Sequence, residues 1–182
     1  NHKAGGYAVV ATLVNSNYSG SATGTLLIHK AEQVISWSNP ASIVYGTLLS
    51  SSQLNASLTT GEGALVYTPE SGLLLNAGTH ELHVTAAETN NYKAAATKVT
   101  IAVTRATPVV SLTVGGPYTY NGSPQSVSSA PVTGIAGAAL GHATVTYSKG
   151  GSPVESPINA GAYAVLASFA GNTNYEPANA TG

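Results

Sequence analysis

Apolar and polar residues alternate over short stretches, and the alternation has a period of two. In TVTYS (144–148), Val145 and Tyr147 share one face of an extended segment while Thr144 and Thr146 share the other. YAVLASF (163–169) aligns Tyr163, Val165, Ala167 and Phe169 in the same way. HVTAA (83–87) and KVTIAV (98–103) are rich in β-branched residues, which fit a pleated surface. Gly, Pro or Asn interrupts the runs every few residues, as in ASIVYGTLLSSSQLNASL (41–58). No stretch holds apolar residues at helical spacing for three turns. The one alternative is a short helix around Leu48–Leu54; everything else reads as strands joined by turns.

The pattern recurs. NAGTHELHVTAAETNNY (76–92) and NAGAYAVLASFAGNTNY (159–175) are two versions of one segment, and AGGYAVVATLVNSNY (4–18) is a shorter third. Residues 31–106 open with AEQVISWSNPASIVYG and close with ATKVTIAVTRA; residues 107–182 open with TPVVSLTVGGPYTYNG. Each has a Tyr-Gly or Tyr-Asn-Gly turn (Tyr45-Gly46, Tyr120-Asn121-Gly122) and then the NAG-to-NY segment. Units of this size bury a small core, for which sheets packed face to face are the natural solution. The expected fold is therefore all-β: tandem immunoglobulin-like β-sandwich repeats with incomplete domains at both ends. Residues 1–30 supply the C-terminal strands of one repeat, 31–106 a complete repeat, and 107–182 a repeat lacking its last strand.

That last strand appears in the opening segment as TGTLLIHKA (23–31), which makes Thr25, Leu26, Leu27 and Ile28 a candidate assembly strand. Two arrangements account for ends cut out of phase. The chain is a window on a longer tandem array, or it is a subunit whose exposed strand completes a neighbour head to tail. The linkers HKAEQ (29–33) and TRATP (104–108) are short, which restricts hinge motion between units. The Asn-Tyr pairs at 91–92 and 174–175 are expected to pin the last crossover loop, with Asn shaping the turn and Tyr burying its ring while its hydroxyl stays wet.

Composition narrows the function. Only 7% of residues are charged, against roughly 25% in an ordinary soluble domain. Ser, Thr, Gly and Asn wet the surface instead, which suits a wall, a matrix or a polymer. Six Lys and Arg, dispersed singly in a chain of net charge −1, do not make the cationic cluster that nucleic acid requires. No apolar run reaches the roughly 20 residues of a membrane-crossing helix. Asp is absent, so Asp-rich calcium loops are not expected. Without Cys there are neither disulfides nor thiolate metal sites.

Candidate chemistry is sparse, and neither a catalytic group nor a cofactor is expected. Of His2, His29, His80, His83 and His142, only His80 and His83 are close in sequence, and three positions along a strand places them on opposite faces. Glu62 and Glu70 bracket a strand without the cleft that paired-acid hydrolysis demands. Nucleophile-elbow, zinc-protease and phosphate-loop patterns are missing. Trp37, in VISWSNP, is read as a core residue; placed on the surface it becomes a candidate for glycan stacking. Tyr45, Tyr67, Tyr118, Tyr120 and Tyr147 recur at strand positions, and most of them are expected to help fill the cores. Asn17, Asn55, Asn121 and Asn179 satisfy the Asn-X-Ser/Thr glycosylation pattern.

The segments ISWSNPASIVYGTLLSSSQLNAS, LVYTPESGLLLNAGTHELHVTAAETNNYKAAATKVTIAVTRA, YTYNGSPQSVS and INAGAYAVLASFAGNTNY together resemble the MBG-type and related YDG-type bacterial immunoglobulin-like repeats. Where that family often carries Asp in its GDxNY-like turn, this chain has Glu88 to Tyr92 and Gly171 to Tyr175. The resemblance implies a secreted or bacterial cell-surface location and a role as stalk or adhesive spacer. The expected function is a non-enzymatic structural repeat of an extracellular stalk or filament, partnered by its own kind or by the rest of a longer chain. The alternative is an adhesive or carbohydrate-binding module that recognises surface glycans. It predicts an exposed aromatic pair on a sheet face or in adjacent loops.

Overall fold

The computed structural model describes residues 3–182. Among them there is no α-helix; strands follow one another in chain order, with a three-residue 3-10 turn at Ile135–Gly137. At Leu48–Leu54 the chain makes a single turn closed by the Leu54 N–H donating to Ser50 O (2.9 Å), not a helix. Three serines, Ser50 to Ser52, and the following Asn55, within reach of the backbone there, favour a turn over helical propagation.

Two compact units emerge. The first comprises the described residues through Ala41, with Leu49–Leu73 and Glu81–Ile101; the second comprises Ser42–Leu48, Leu74–His80 and Ala102–Gly182. The second unit thus takes in two segments of the middle sequence repeat, including the first residues of the strand Gly78–Ala86, as well as the end of the strand Ala95–Thr104.

In the first unit, β1 (Gly5–Thr12) and β2 (Ser21–Ile28) form an antiparallel hairpin, with Gly5 opposite Ile28 and Thr12 opposite Ser21. β3 (Val34–Ser36) pairs with β5 (Ser57–Thr60). β6 (Leu65–Thr68) pairs antiparallel with β7 (Gly78–Ala86), which lies beside β8 (Ala95–Thr104). The expected alternation is clearest here: Leu82, Val84 and Ala86 of β7 and Val99 and Ile101 of β8 are buried, while the residues between them are exposed. Each large side chain removed from water contributes about 1.5–3 kcal/mol. On the wet face the Lys98 ammonium bonds Glu81 across the strands at 2.6 Å.

The second unit contains β4 (Ile43–Val44), which runs parallel to the end of β8 with Ile43 opposite Val103. One sheet orders β11 (Ala139–His142), β10 (Pro131–Thr133) and β9 (Val109–Val110). The other orders β13 (Ser152–Val154), β12 (Thr144–Lys149), β14 (Ala164–Phe169) and β15 (Ala178–Thr181). Its core is Ala130, Val132, Ala143 and Ala167, flanked by Val110, Leu112, Leu140, Val145 and Phe169 from both sheets. After Tyr175, β15 contributes four residues beside β14; after Tyr92, β8 contributes ten beside β7.

Candidate functional site

The recurring sequence elements converge on one arrangement of turns. In each Asn-Tyr turn, a side-chain oxygen two residues before the Asn closes the bend. Asn172 Oδ1 accepts from Asn174 N–H (2.9 Å) and Tyr175 N–H (3.0 Å). Thr89 Oγ1 accepts from Asn91 (3.3 Å) and Tyr92 (3.1 Å), and Asn15 Oδ1 from Asn17 (2.8 Å). These are Asx- and hydroxyl-capped turns, in which a short polar side chain replaces a backbone acceptor. The capping residue is thus the one that sequence reading passed over, which leaves the Asn of the Asn-Tyr pair free for other work.

That work is done on the NAG turn. Asn91 Oδ1 accepts the Ala4 N–H (2.9 Å), and Asn174 Oδ1 accepts the Ala77 N–H (2.9 Å). Asn174 also donates from Nδ2 to Asn76 Oδ1 (3.1 Å). The receiving turns share one geometry at all three places in the chain. Gly5, Gly78 and Gly161 have φ of +143°, +138° and +146°, a region that side chains with a Cβ rarely adopt. A ring four residues after the turn's start reaches back each time: Tyr7 Oη donates to Lys3 O (2.5 Å), His80 Nε2 meets Asn76 O (2.7 Å), and Tyr163 Oη donates to Asn159 O (2.7 Å).

The short linkers complete the joint. Ala31 N–H donates to Asn91 O (2.8 Å) and Lys93 N–H to Ala31 O (2.9 Å); Ala106 N–H donates to Asn174 O (2.9 Å) and Glu176 N–H to Ala106 O (2.9 Å). The preceding residue is basic in both linkers. Lys30 Nζ bonds Glu88 and donates to Thr89 O (2.8 Å), while Arg105 lies 4.0 Å from Glu176. The hydrogen bond and charge of Lys30 hold the Glu88 carboxyl below the ordinary carboxylate range. Tyr175 is buried, and its hydroxyl accepts the Ile135 N–H (3.1 Å). Its ring meets Tyr45 edge-on, with centroids 5.4 Å apart.

The third NAG turn, Asn159-Ala160-Gly161, borders an open cleft of about 350 Å³. Tyr118, Tyr120, Tyr147, Pro157 and Ile158 line it, and among its described lining residues none carries a charge. Tyr118 and Tyr120 are 51% and 65% exposed, whereas Tyr45, Tyr67 and Tyr147 are half-buried. Tyr118 Oη donates to Ser126 O (3.0 Å) and Tyr147 Oη accepts the Val127 N–H (3.1 Å), which anchors the cleft walls. Lys149 Nζ donates to Ala160 O (2.8 Å) and steadies the rim.

The other sequence candidates are scattered. Trp37 is half-buried, edge-on to Tyr67 at 5.4 Å, with its indole N–H on Gln53 O (3.2 Å). Asn17, Asn55, Asn121 and Asn179 are all exposed. Thr25, Leu26, Leu27 and Ile28 lie on β2, exposed, and paired to β1 on one side. His83 sits 3.5 Å from Glu81, while His2 lies outside the described residues. Among the described residues no cluster could hold a metal ion.

Sequence reading missed Gln33, the buried polar side chain. Its Nε2 donates to Ala87 O and Lys93 O (both 2.8 Å), and its Oε1 accepts from Glu62 N–H (3.2 Å) and Gly63 N–H (2.8 Å). Gly61 and Gly63 crowd against it, and a Cβ at either would meet the Gln33 side chain.

A family model described as MBG domain matches residues 1–32 and 111–182, more than half of the chain. The matched stretches take in the β1–β2 hairpin, the first and third NAG and Asn-Tyr turns, and the cleft. Neither the curated proteins nor the solved structures compared with the chain contain a match. MBG domains are surface repeat modules and are not known as enzymes. Among the described residues no helix is long and apolar enough to cross a membrane.

Proposed function

We propose, from the premise that this chain belongs to the MBG domain family, that it is a non-enzymatic structural repeat of an extracellular bacterial stalk or filament. The Asn-Tyr turn of one sequence repeat locks onto the NAG turn of the repeat before it. The observation that carries this reading is the duplicated clamp: Asn91 on Ala4 and Asn174 on Ala77, each backed by the same two backbone bonds to an alanine of the linker. A catalytic device needs one well-placed constellation, whereas a spacer needs the same joint again and again. Low charge suits this work, because it permits close lateral packing and offers few Lys or Arg to proteases.

Force spectroscopy on the chain held by its termini tests the reading. Discrete unfolding steps are expected, and Asn174→Ala should lower the force of one step. A smooth, featureless extension would contradict a load-bearing role.

The second reading, a glycan-binding adhesive module, is favoured by one observation. Tyr118 and Tyr120 form an exposed aromatic pair in a loop beside a concave site. It predicts a hit on a glycan array that Tyr120→Ala abolishes.

A further inference from the structure

We propose that the cleft at Tyr118, Tyr120, Ile158 and the Asn159-Ala160-Gly161 turn is a docking seat for a second copy of this chain. The part that enters is the Asn15-Ser16-Asn17-Tyr18 turn at the tip of the β1–β2 hairpin. This rests on the spacer reading and names its partner.

The seat has a counterpart within the second unit. There Asn76-Ala77-Gly78 and Tyr45 correspond by sequence to Asn159-Ala160-Gly161 and Tyr120. They are covered by Asn174, bonded to Ala77 N–H and Asn76 Oδ1, and by Tyr175, stacked edge-on against Tyr45. Tyr45 is half-buried as a result, whereas Tyr120 is 65% exposed. The matching glycine φ values and the matching ring-to-carbonyl bonds of Tyr163 and His80 give the third turn the same backbone bend, with Lys149 added beside Gly161.

The incoming turn is equally ready. Asn15 already holds Asn17 in the bend that Asn172 imposes on Asn174, so little ordering entropy is lost on docking. Tyr18 is 71% exposed, and the adjoining Leu13 and Val14 are 55% and 95% exposed. Segment 13–19 and the described residues lining the cleft are uncharged, so the one ion beside the contact is the Lys149 ammonium at the rim, which Ala160 O and the Tyr163 ring already hold. By correspondence Asn17 Oδ1 takes the Ala160 N–H, Asn17 Nδ2 meets Asn159 Oδ1, and the Tyr18 ring lies against Tyr120. Turn and cleft are different surfaces of one chain. The contact is therefore heterologous and extends head to tail instead of closing.

The test uses the whole chain. Sedimentation velocity from micromolar to millimolar concentration should show open-ended association, which Asn17→Ala weakens about tenfold or more through the loss of its two hydrogen bonds. Circular dichroism of the variant checks that this exposed position leaves the fold intact. Because the chain has no cysteine, mixing the single variants Tyr18→Cys and Tyr120→Cys under mild oxidant gives an independent readout. Cross-links between 18 and 120 should outnumber those between like positions. A chain that stays monomeric at every concentration, an unchanged Asn17→Ala, or cross-links in random proportion would overturn the proposal. Glycan binding that needs Tyr120, without self-association, would do the same. If the chain stays monomeric yet Asn174→Ala still lowers an unfolding force, self-docking falls and the spacer reading stands.

Discussion

Gln33 and Asn174 show how much a single amide can organise when backbone groups surround it. Gln33 spends its whole side-chain hydrogen-bonding capacity on four main-chain groups, from Ala87, Lys93, Glu62 and Gly63, at a site 6% exposed. Gln33→Leu keeps the apolar stem but strands those donors and acceptors. Chemical denaturation is expected to show a loss of about 2–4 kcal/mol. Position 33 has no equivalent amide in the third sequence repeat, where Pro108 follows Ala106-Thr107. Nothing in the sequence flagged Gln33, since a lone Gln beside a strand normally faces water. Asn91 and Asn174 were visible as turn residues, but their acceptor role depends on an alanine 87 and 97 positions away. No local pattern encodes that distance.

Among the elements, the linkers and the β1–β2 hairpin behave oppositely. The first linker is fastened by backbone bonds and by Lys30 on Glu88. The folded-state pKa of Glu88 is depressed by that ammonium. Its contribution is therefore present above the ordinary carboxylate value and is lost as pH falls through the lowered one. Carbon NMR titration should place the Glu88 midpoint below that of an unpaired Glu, and Lys30→Ala should return it to the ordinary range. Glu88 is exposed and Lys30 only half-buried, so added salt will weaken the effect. The hairpin instead presents Val9, Val10, Leu26 and Leu27 to solvent at 47–61% exposure. Apolar surface on a strand with an unpaired edge is adhesive. Leu27→Lys should reduce aggregation at high concentration while leaving the unfolding midpoint nearly unchanged, because the side chain packs little in the free chain.

For the molecule as a whole, the two compact units each contain one Asn-on-alanine clamp, which makes their responses separable. Hydrogen exchange followed by mass spectrometry should show Asn91→Ala raising exchange at residues 3–5 and around Ala31. Asn174→Ala should do so at residues 76–78 and around Ala106. Asn174→Asp should be the milder change, since it retains the acceptor for Ala77 and loses only the donor to Asn76. A glycan on Asn17 would cap the same atoms that docking uses, so modification there and self-association exclude each other.

Alternation, turn residues and the triplicate NAG and Asn-Tyr segments were enough to specify an all-β chain and the family it belongs to, because side-chain period and turn chemistry are local properties that composition preserves. The faces buried on β7, β8 and β14, and the half-buried face of β12, follow directly from that period. What a turn touches is a different matter. The clamp of Asn174 on Ala77, the burial of Tyr175 under Tyr45 and the four-way satisfaction of Gln33 join positions far apart in the chain. Such pairings form only when folded sheets bring their loops within hydrogen-bond reach, and a hydrogen bond depends on distance and angle that no one-dimensional pattern carries.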